Sequence, residues 1–341
     1  MVRIPWIVCL ILASLGLVAA QEAGGEPTAS PAASPEVSAD DEAEEAGEEE
    51  PEEESRPLHV LRYHYANDTF TSTDYYFTQG MGLHYVSPAL LGSPLAIPLP
   101  DLGQGSRREV SLRWRYEGFT PEEIDRTAIQ VGDRPFSSYM TLGHRSQVHA
   151  AEGSASLWAE WALGYIGPAV GAREFQSEIH RHTGGKDPLG WRNQIRGDPI
   201  VQLEVGYAHR LFRHASLVDA FAELELRGGT LFSDATSRLR LRFGLLGAPL
   251  GPPEELRLYL WGSLEARAVG YNATLEGGVF NDSRYTLAAN DVARLVAVAK
   301  WGAQLEIGPF GLGFSFAFTS REFRRGRSHA WGQLGLSVFF G

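Results

Sequence analysis

The chain has 341 residues, a formal net charge of −12 and a single cysteine, Cys9. Fourteen of its 42 acidic residues and two of its 30 basic ones (Arg3 and Arg56) fall within positions 1–56, so the remaining 285 residues are charge-balanced. The acidic bias therefore says nothing about what the larger part binds, and that part, lacking cysteine, excludes disulfides, thiol nucleophiles and cysteine-ligated metals.

Arg3 is followed by an apolar run from Ile4 to Ala20 that ends in Val18-Ala19-Ala20. This pattern predicts a secretory signal peptide over 1–20, cleaved before Gln21. The run is short for a membrane span and leads straight into acid and proline, which disfavours a retained anchor. Positions 21–56 are alanine, proline, serine and glutamate with almost nothing to bury, and they predict a disordered acidic spacer. A folded region is expected over 57–341.

That region is rich in glycine, phenylalanine, tyrosine and tryptophan and holds no continuous apolar run long enough to make a membrane helix. Arg108–Tyr116 puts Val110, Leu112, Trp114 and Tyr116 on one face and Ser111, Arg113 and Arg115 on the other. Ser237–Phe243 repeats this with Leu239, Leu241 and Phe243 opposed to Arg238, Arg240 and Arg242, while Phe310–Phe318 sets alternate phenylalanines against small residues. Period-two alternation of this kind is a strand signal. In an outer-membrane barrel it means lipid outside and a polar lumen inside; in a soluble sandwich it means the reverse.

Strand lengths of ten or more residues, the export signal and the terminal strand ending in Phe339-Phe340 favour the barrel. Candidate strands fall at 58–66, 79–87, 108–117, 136–144, 153–165, 199–209, 216–228, 236–246, 255–270, 292–306, 310–320 and 329–340. The fold class is thus all-β, a transmembrane antiparallel barrel of twelve strands, the even number bacterial barrels require. A lumen of that size is largely filled by side chains.

The longest interruption of the alternation carries Gln176–Gln194. If Arg173–Arg181 is a short helix, Gln176 and His180 project from one face, with Phe175 and Ile179 beside them on an apolar side. Thr183-Gly184-Gly185 ends it. A histidine held on a helix can be aimed, and imidazole serves as a general base near neutral pH. Asn67 and Asp68 offer hard oxygen donors suited to Ca²⁺, and are also ordinary turn residues. Arg134 is a fixed cation able to hold an oxyanion or a phosphate.

In their joint order these segments resemble the outer-membrane lipid A 3′-O-deacylase family: ND-x₅-D-YY-x-T-x-G at 67–80, DRPF at 133–136, and Q-x₃-H followed by P-x-G-W-x-x-Q at 176–194. The resemblance implies a twelve-stranded barrel that hydrolyses the 3′-linked acyloxyacyl ester of lipid A with Ca²⁺ as cofactor. It implies catalytic roles for His180 as base, Gln176 and Arg134, substrate contacts from Asn67 and Asp187, and metal binding by Asp68. Asp133 stands where the family carries lysine, and Lys186 where an acid is expected. The expected partners are lipopolysaccharide and the membrane, with no nucleic acid, for a monomer in the Gram-negative outer membrane.

Two other readings are weighed against this one. A serine-type outer-membrane phospholipase would use Ser137, Ser138 or Ser146 with His144 or His149, although no spacing singles out a triad. A non-enzymatic channel or structural barrel would leave His180 replaceable. The stretch 321–327 reads as a charged rim facing lipid phosphates.

Overall fold

The computed structural model describes residues 58–73, 75–247 and 256–341; the expected leader (1–20), the acidic spacer (21–56) and Asp74 lie outside them. Twelve antiparallel strands form a closed barrel: β1 (His59–Asn67), β2 (Tyr76–Val86), β3 (Arg107–Thr120), β4 (Ser137–His149), β5 (Ala155–Ile166), β6 (Asp198–His214), β7 (Val218–Gly229), β8 (Phe232–Leu245), β9 (Arg257–Asn272), β10 (Leu295–Ile307), β11 (Phe310–Thr319) and β12 (His329–Phe340). Each strand pairs with its sequence neighbours, and β1 closes on β12 with His59 opposite Phe340. Closure leaves no strand edge unpaired, the condition a sheet must meet in hydrocarbon.

All twelve expected strands are present. β6 runs five residues past its expected end because the register shifts between Arg210 and Phe212, where the period-two pattern slips. β4 also overshoots, since His144 and Ser146 put polar side chains on the outward face and interrupt the alternation.

The alternation resolves as lipid outside. Leu239, Leu241, Phe243, Leu258, Leu260 and Leu312 are exposed on the outer surface. The lumen holds ion pairs: Arg115 and Arg145 meet Glu160 at 2.5 and 2.9 Å, Arg238 lies between Glu223 and Glu265 at 2.7 and 2.8 Å, and Arg242 meets Asp219 at 2.6 Å. At one end an apolar layer crosses the lumen, built from inward residues of several strands, among them Phe77, Phe119, Tyr139 and Ile200, together with Ile195 and Ala273 from the connections.

That end carries the long connections 121–136, 167–197 and 273–294. Outer-membrane barrels keep short turns on the periplasmic side and long loops outside, which makes it the extracellular rim. The connection 87–106 is the exception at the opposite end. It folds back along the outer wall, where Ser93 Oγ meets His144 Nε2 at 3.1 Å, Trp161 Nε1 donates to the Leu95 carbonyl at 2.9 Å, and Ile97 N–H donates to Ser146 Oγ at 2.8 Å. Its prolines 88, 94, 98 and 100 remove backbone donors that would otherwise need partners in lipid. The strap also explains the polar outward positions of β4, because it buries His144 and Ser146.

Candidate active site

The expected helix forms as α1 (Ala172–Thr183). Gly184 ends it in the left-handed region at φ 76°, donating its N–H to the His180 carbonyl at 2.8 Å. Glycine reaches that conformation at no steric cost, which is why the chain can turn back there. After the turn, the Lys186 carbonyl meets His180 Nδ1 at 2.5 Å. A carbonyl only accepts, so Nδ1 carries a proton, and in the neutral ring Nε2 is the nitrogen with the lone pair. Gly185 lies so close that a Cβ there would come within 2.9 Å of the imidazole.

α1 lies against the outer side of the barrel wall. Arg113, Arg115, Glu117 and Phe119 line the lumen, so Trp114 and Tyr116 on the same strand point outward. Phe175 packs edge-on to Tyr116 at 6.0 Å, and Ala172 and Trp191 join the same cluster. Beneath the helix, β2 carries one extra residue: Phe77 pairs with Phe119 and Gln79 with Gly118, leaving Thr78 between them. Such a bulge re-aims side chains. Thr78 and Gln79 both reach outward, Thr78 to Gln176 and Gln79 Nε2 to Tyr116 Oη at 2.6 Å.

A buried hydrogen-bonded chain then ties helix to wall. Trp191 Nε1 donates to Gln176 Oε1 at 2.7 Å, Gln176 Nε2 donates to Thr78 Oγ1 at 3.0 Å, and Asn67 Nδ2 donates to the Thr78 carbonyl at 2.7 Å. Asn67 also caps the 3₁₀ turn Asp68–Thr71, its side chain accepting from Thr69 N–H at 2.8 Å. Thr71 and Thr73 fasten the turn to the Ala330 carbonyl of β12. Asn67, Gln176 and, one helical turn from Gln176, His180 are therefore assembled on one outer patch at the extracellular rim.

Thr78 and Trp191 are members of this chain that sequence reasoning did not single out. Both stand inside the quoted motifs, and Trp191 follows the Pro188-x-Gly190 step that turns it toward Gln176.

Arg134 is placed elsewhere. Its side chain is fully buried, with Nη1 donating to Glu322 at 3.0 Å, Nη2 donating to Thr274 Oγ1 at 3.1 Å, and the guanidinium 4.4 Å above the lumen-facing Phe119 ring. Inside the mouth its guanidinium is engaged by Glu322 and Thr274, and these bonds fix the loops. Burial pushes the Glu322 carboxyl up, but Arg134, with His329 and Arg267, outweighs it and holds the group below its ordinary value. Asp133 turns into its own loop, accepting from the N–H groups of Glu122 and Arg134 at 2.8 and 2.7 Å, and burial raises its pKa. Asp187 stands exposed beside the His180 turn.

The rival serines find other partners. Ser137 donates to the Thr274 carbonyl and Ser146 accepts from the strap, and among the described residues neither they nor Ser138 meets His144 or His149. No group of three or more histidine and acidic side chains converges among the described residues. Asp68 is a buried carboxylate. A single carboxylate is a hard oxygen donor and makes no closed protein cage by itself.

Against known proteins, the sequence matches the family model described as outer membrane protein LpxR over residues 9–340. The chain belongs to the LpxR family. This is the lipid A 3′-O-deacylase family that the motif order resembles, and membership places the barrel in the outer membrane. Among solved structures, LpxR from Salmonella typhimurium is similar at a TM-score of 0.67 and 21% identity, covering 82% of this chain and 100% of that one. The beta domain of the Bordetella autotransporter BrkA gives 0.42 and 12%, covering 83% and 98%. None of the curated proteins matches the sequence.

Proposed function

We propose that this LpxR-family barrel hydrolyses the 3′-linked acyl ester of lipid A at the outer leaflet, with water as nucleophile and His180 as base. The observation that carries the reading is the His180 Nδ1 contact to the Lys186 carbonyl at 2.5 Å, on a helix bolted to the lipid-facing wall through Gln176 and Thr78. A fixed Nδ1–H leaves Nε2 free to take a proton from water as oxygen attacks the ester carbonyl. The imidazolium then returns that proton to the departing sugar oxygen, giving a free acyloxyacyl acid and a 3′-hydroxyl. Gln176 holds the helix face, and Asn67 holds the turn that carries Asp68.

Asp68 would hold Ca²⁺, which when bound would supply positive charge for the ester oxygen. A site outside the wall suits this substrate, whose acyl chains remain in the leaflet while the sugar meets polar groups at the rim. No membrane helix is needed for anchoring; the strands do it.

Mass spectrometry of lipid A from cells expressing the chain tests the reading. Loss of one acyloxyacyl mass relative to vector, prevented by chelating Ca²⁺, is expected. Unchanged lipid A with the barrel correctly assembled would defeat it.

A further inference from the structure

Beside the N-terminal turn of α1 lies a cleft of about 280 Å³ lined by Arg173, Arg192, Arg196 and Arg284, with Trp191 as an apolar wall and Glu174 as the one acid. The four guanidinium groups come from α1, from the 3₁₀ turn Leu189–Asn193, from the segment leading into β6 and from the connection 273–294. None of them is in an ion pair among the described residues; Arg192 donates to the Thr127 carbonyl at 3.2 Å. Most lumen arginines, by contrast, are matched to carboxylates.

The cleft is built rather than incidental. Arg196 N–H donates to Ser283 Oγ at 2.9 Å, Asn281 Nδ2 donates to the Gly197 carbonyl at 2.8 Å, and buried Asp198 accepts from Phe280 N–H at 2.7 Å. These bonds lock the two connections together and hold Arg196 and Arg284 side by side. Four like charges brought together with a single carboxylate, Glu174, raise the energy of the folded state unless an anion joins them. The positive end of the α1 dipole adds to the same field.

We infer that this cleft binds a phosphate monoester carried on the sugar backbone of the lipid substrate. Guanidinium groups bind phosphate through paired N–H donors. Arg173 and His180 are seven residues apart, almost two full turns, so they share one face of α1 at about 10 Å along its axis. That spacing lies within one phosphorylated glucosamine disaccharide, so phosphate and scissile ester can belong to the same molecule. The inference rests on the lipid A reading of the site and adds to it the group that orients the substrate.

The test compares bisphosphorylated lipid A with the same lipid stripped of its phosphates, using the detergent-solubilised barrel and the Arg173→Gln/Arg284→Gln double variant. Deacylation gives kcat and KM; equilibrium binding of both lipids, and of inorganic phosphate as competitor, is measured in a His180→Ala background. Removal of phosphate is expected to raise KM and Kd about tenfold in the wild-type cleft and less than twofold in the double variant, with kcat unchanged. Equal binding of the two lipids by the wild-type cleft overturns the inference. So does competition by inorganic phosphate without any effect of stripping the lipid, which would assign the cleft to phosphate from another source. Phosphate-dependent binding without turnover of either lipid supports the cleft while defeating the hydrolase reading.

Discussion

Inside the barrel, Arg115, Arg145 and Arg238 each lie within 2.9 Å of a carboxylate, whereas at the outer rim Arg173, Arg196 and Arg284 stand in no ion pair among the described residues. The same residue type serves two ends. In the lumen, removal from water is offset by matched charge, and the result is a braced wall with an apolar layer across its mouth. On the outer side, Arg173, Arg196 and Arg284 have no such match among the described residues, and the proposed function assigns them and His180 to the lipid substrate. Arg134 sits at the join, close to α1 in the motif order yet held on the lumen side by Glu322.

The contrast is broken most severely at Glu160, which accepts from Arg113, Arg115 and Arg145. Glu160→Ala leaves three guanidinium groups without their shared partner and is expected to cost about 3–5 kcal/mol, read as a lower urea midpoint for barrel unfolding. The folded fraction should keep its wild-type turnover. Arg134→Gln follows at about 3 kcal/mol by stranding Glu322, again with kcat largely retained once folded. Loss of turnover with stability untouched would return Arg134 to the reacting ester.

Trp191→Phe removes the donor to Gln176 and loosens α1, at about 1 kcal/mol of stability and a several-fold fall in kcat. A smaller effect separates the two sides by pH. Because Glu322 is held below its ordinary value, its stabilisation is fully present above the unfolded carboxyl pKa and is lost as pH falls through the lowered folded one. Glu322→Gln should therefore flatten the acid limb of the stability profile, measured by denaturation from neutral pH downward. Arg173→Gln should shift the unfolding midpoint by less than about 0.5 kcal/mol, since no ion pair is lost there.

Much of this arrangement was legible in the sequence, for identifiable reasons. Period two gave the strands, and the spacing of Gln176 and His180 with Gly184 behind them gave α1 and its stop. Three features were not legible. The bulge at Thr78 has no local signature, yet it decides which side chains reach Gln176. The partner that fixes the His180 tautomer is a backbone carbonyl, and any residue at 186 can supply one. Arg134 was read as a cation able to hold an oxyanion or a phosphate, and its pairing with Glu322 was out of sight because that carboxylate lies 188 residues away in sequence, where only barrel closure brings it near. The docking of the 87–106 strap was hidden in the same way, although the prolines that let it lie against lipid were in plain view.

The central claim is that chemistry resides on the outer wall at His180 and not in the lumen. Fatty acid release from purified lipid A by the detergent-solubilised barrel tests it, comparing wild type with His180→Ala after both are shown to be folded by heat-modifiable gel migration. The account predicts a fall in kcat of about 10²–10⁴-fold for His180→Ala with KM little changed. Turnover by the folded variant within a few-fold of wild type would contradict it.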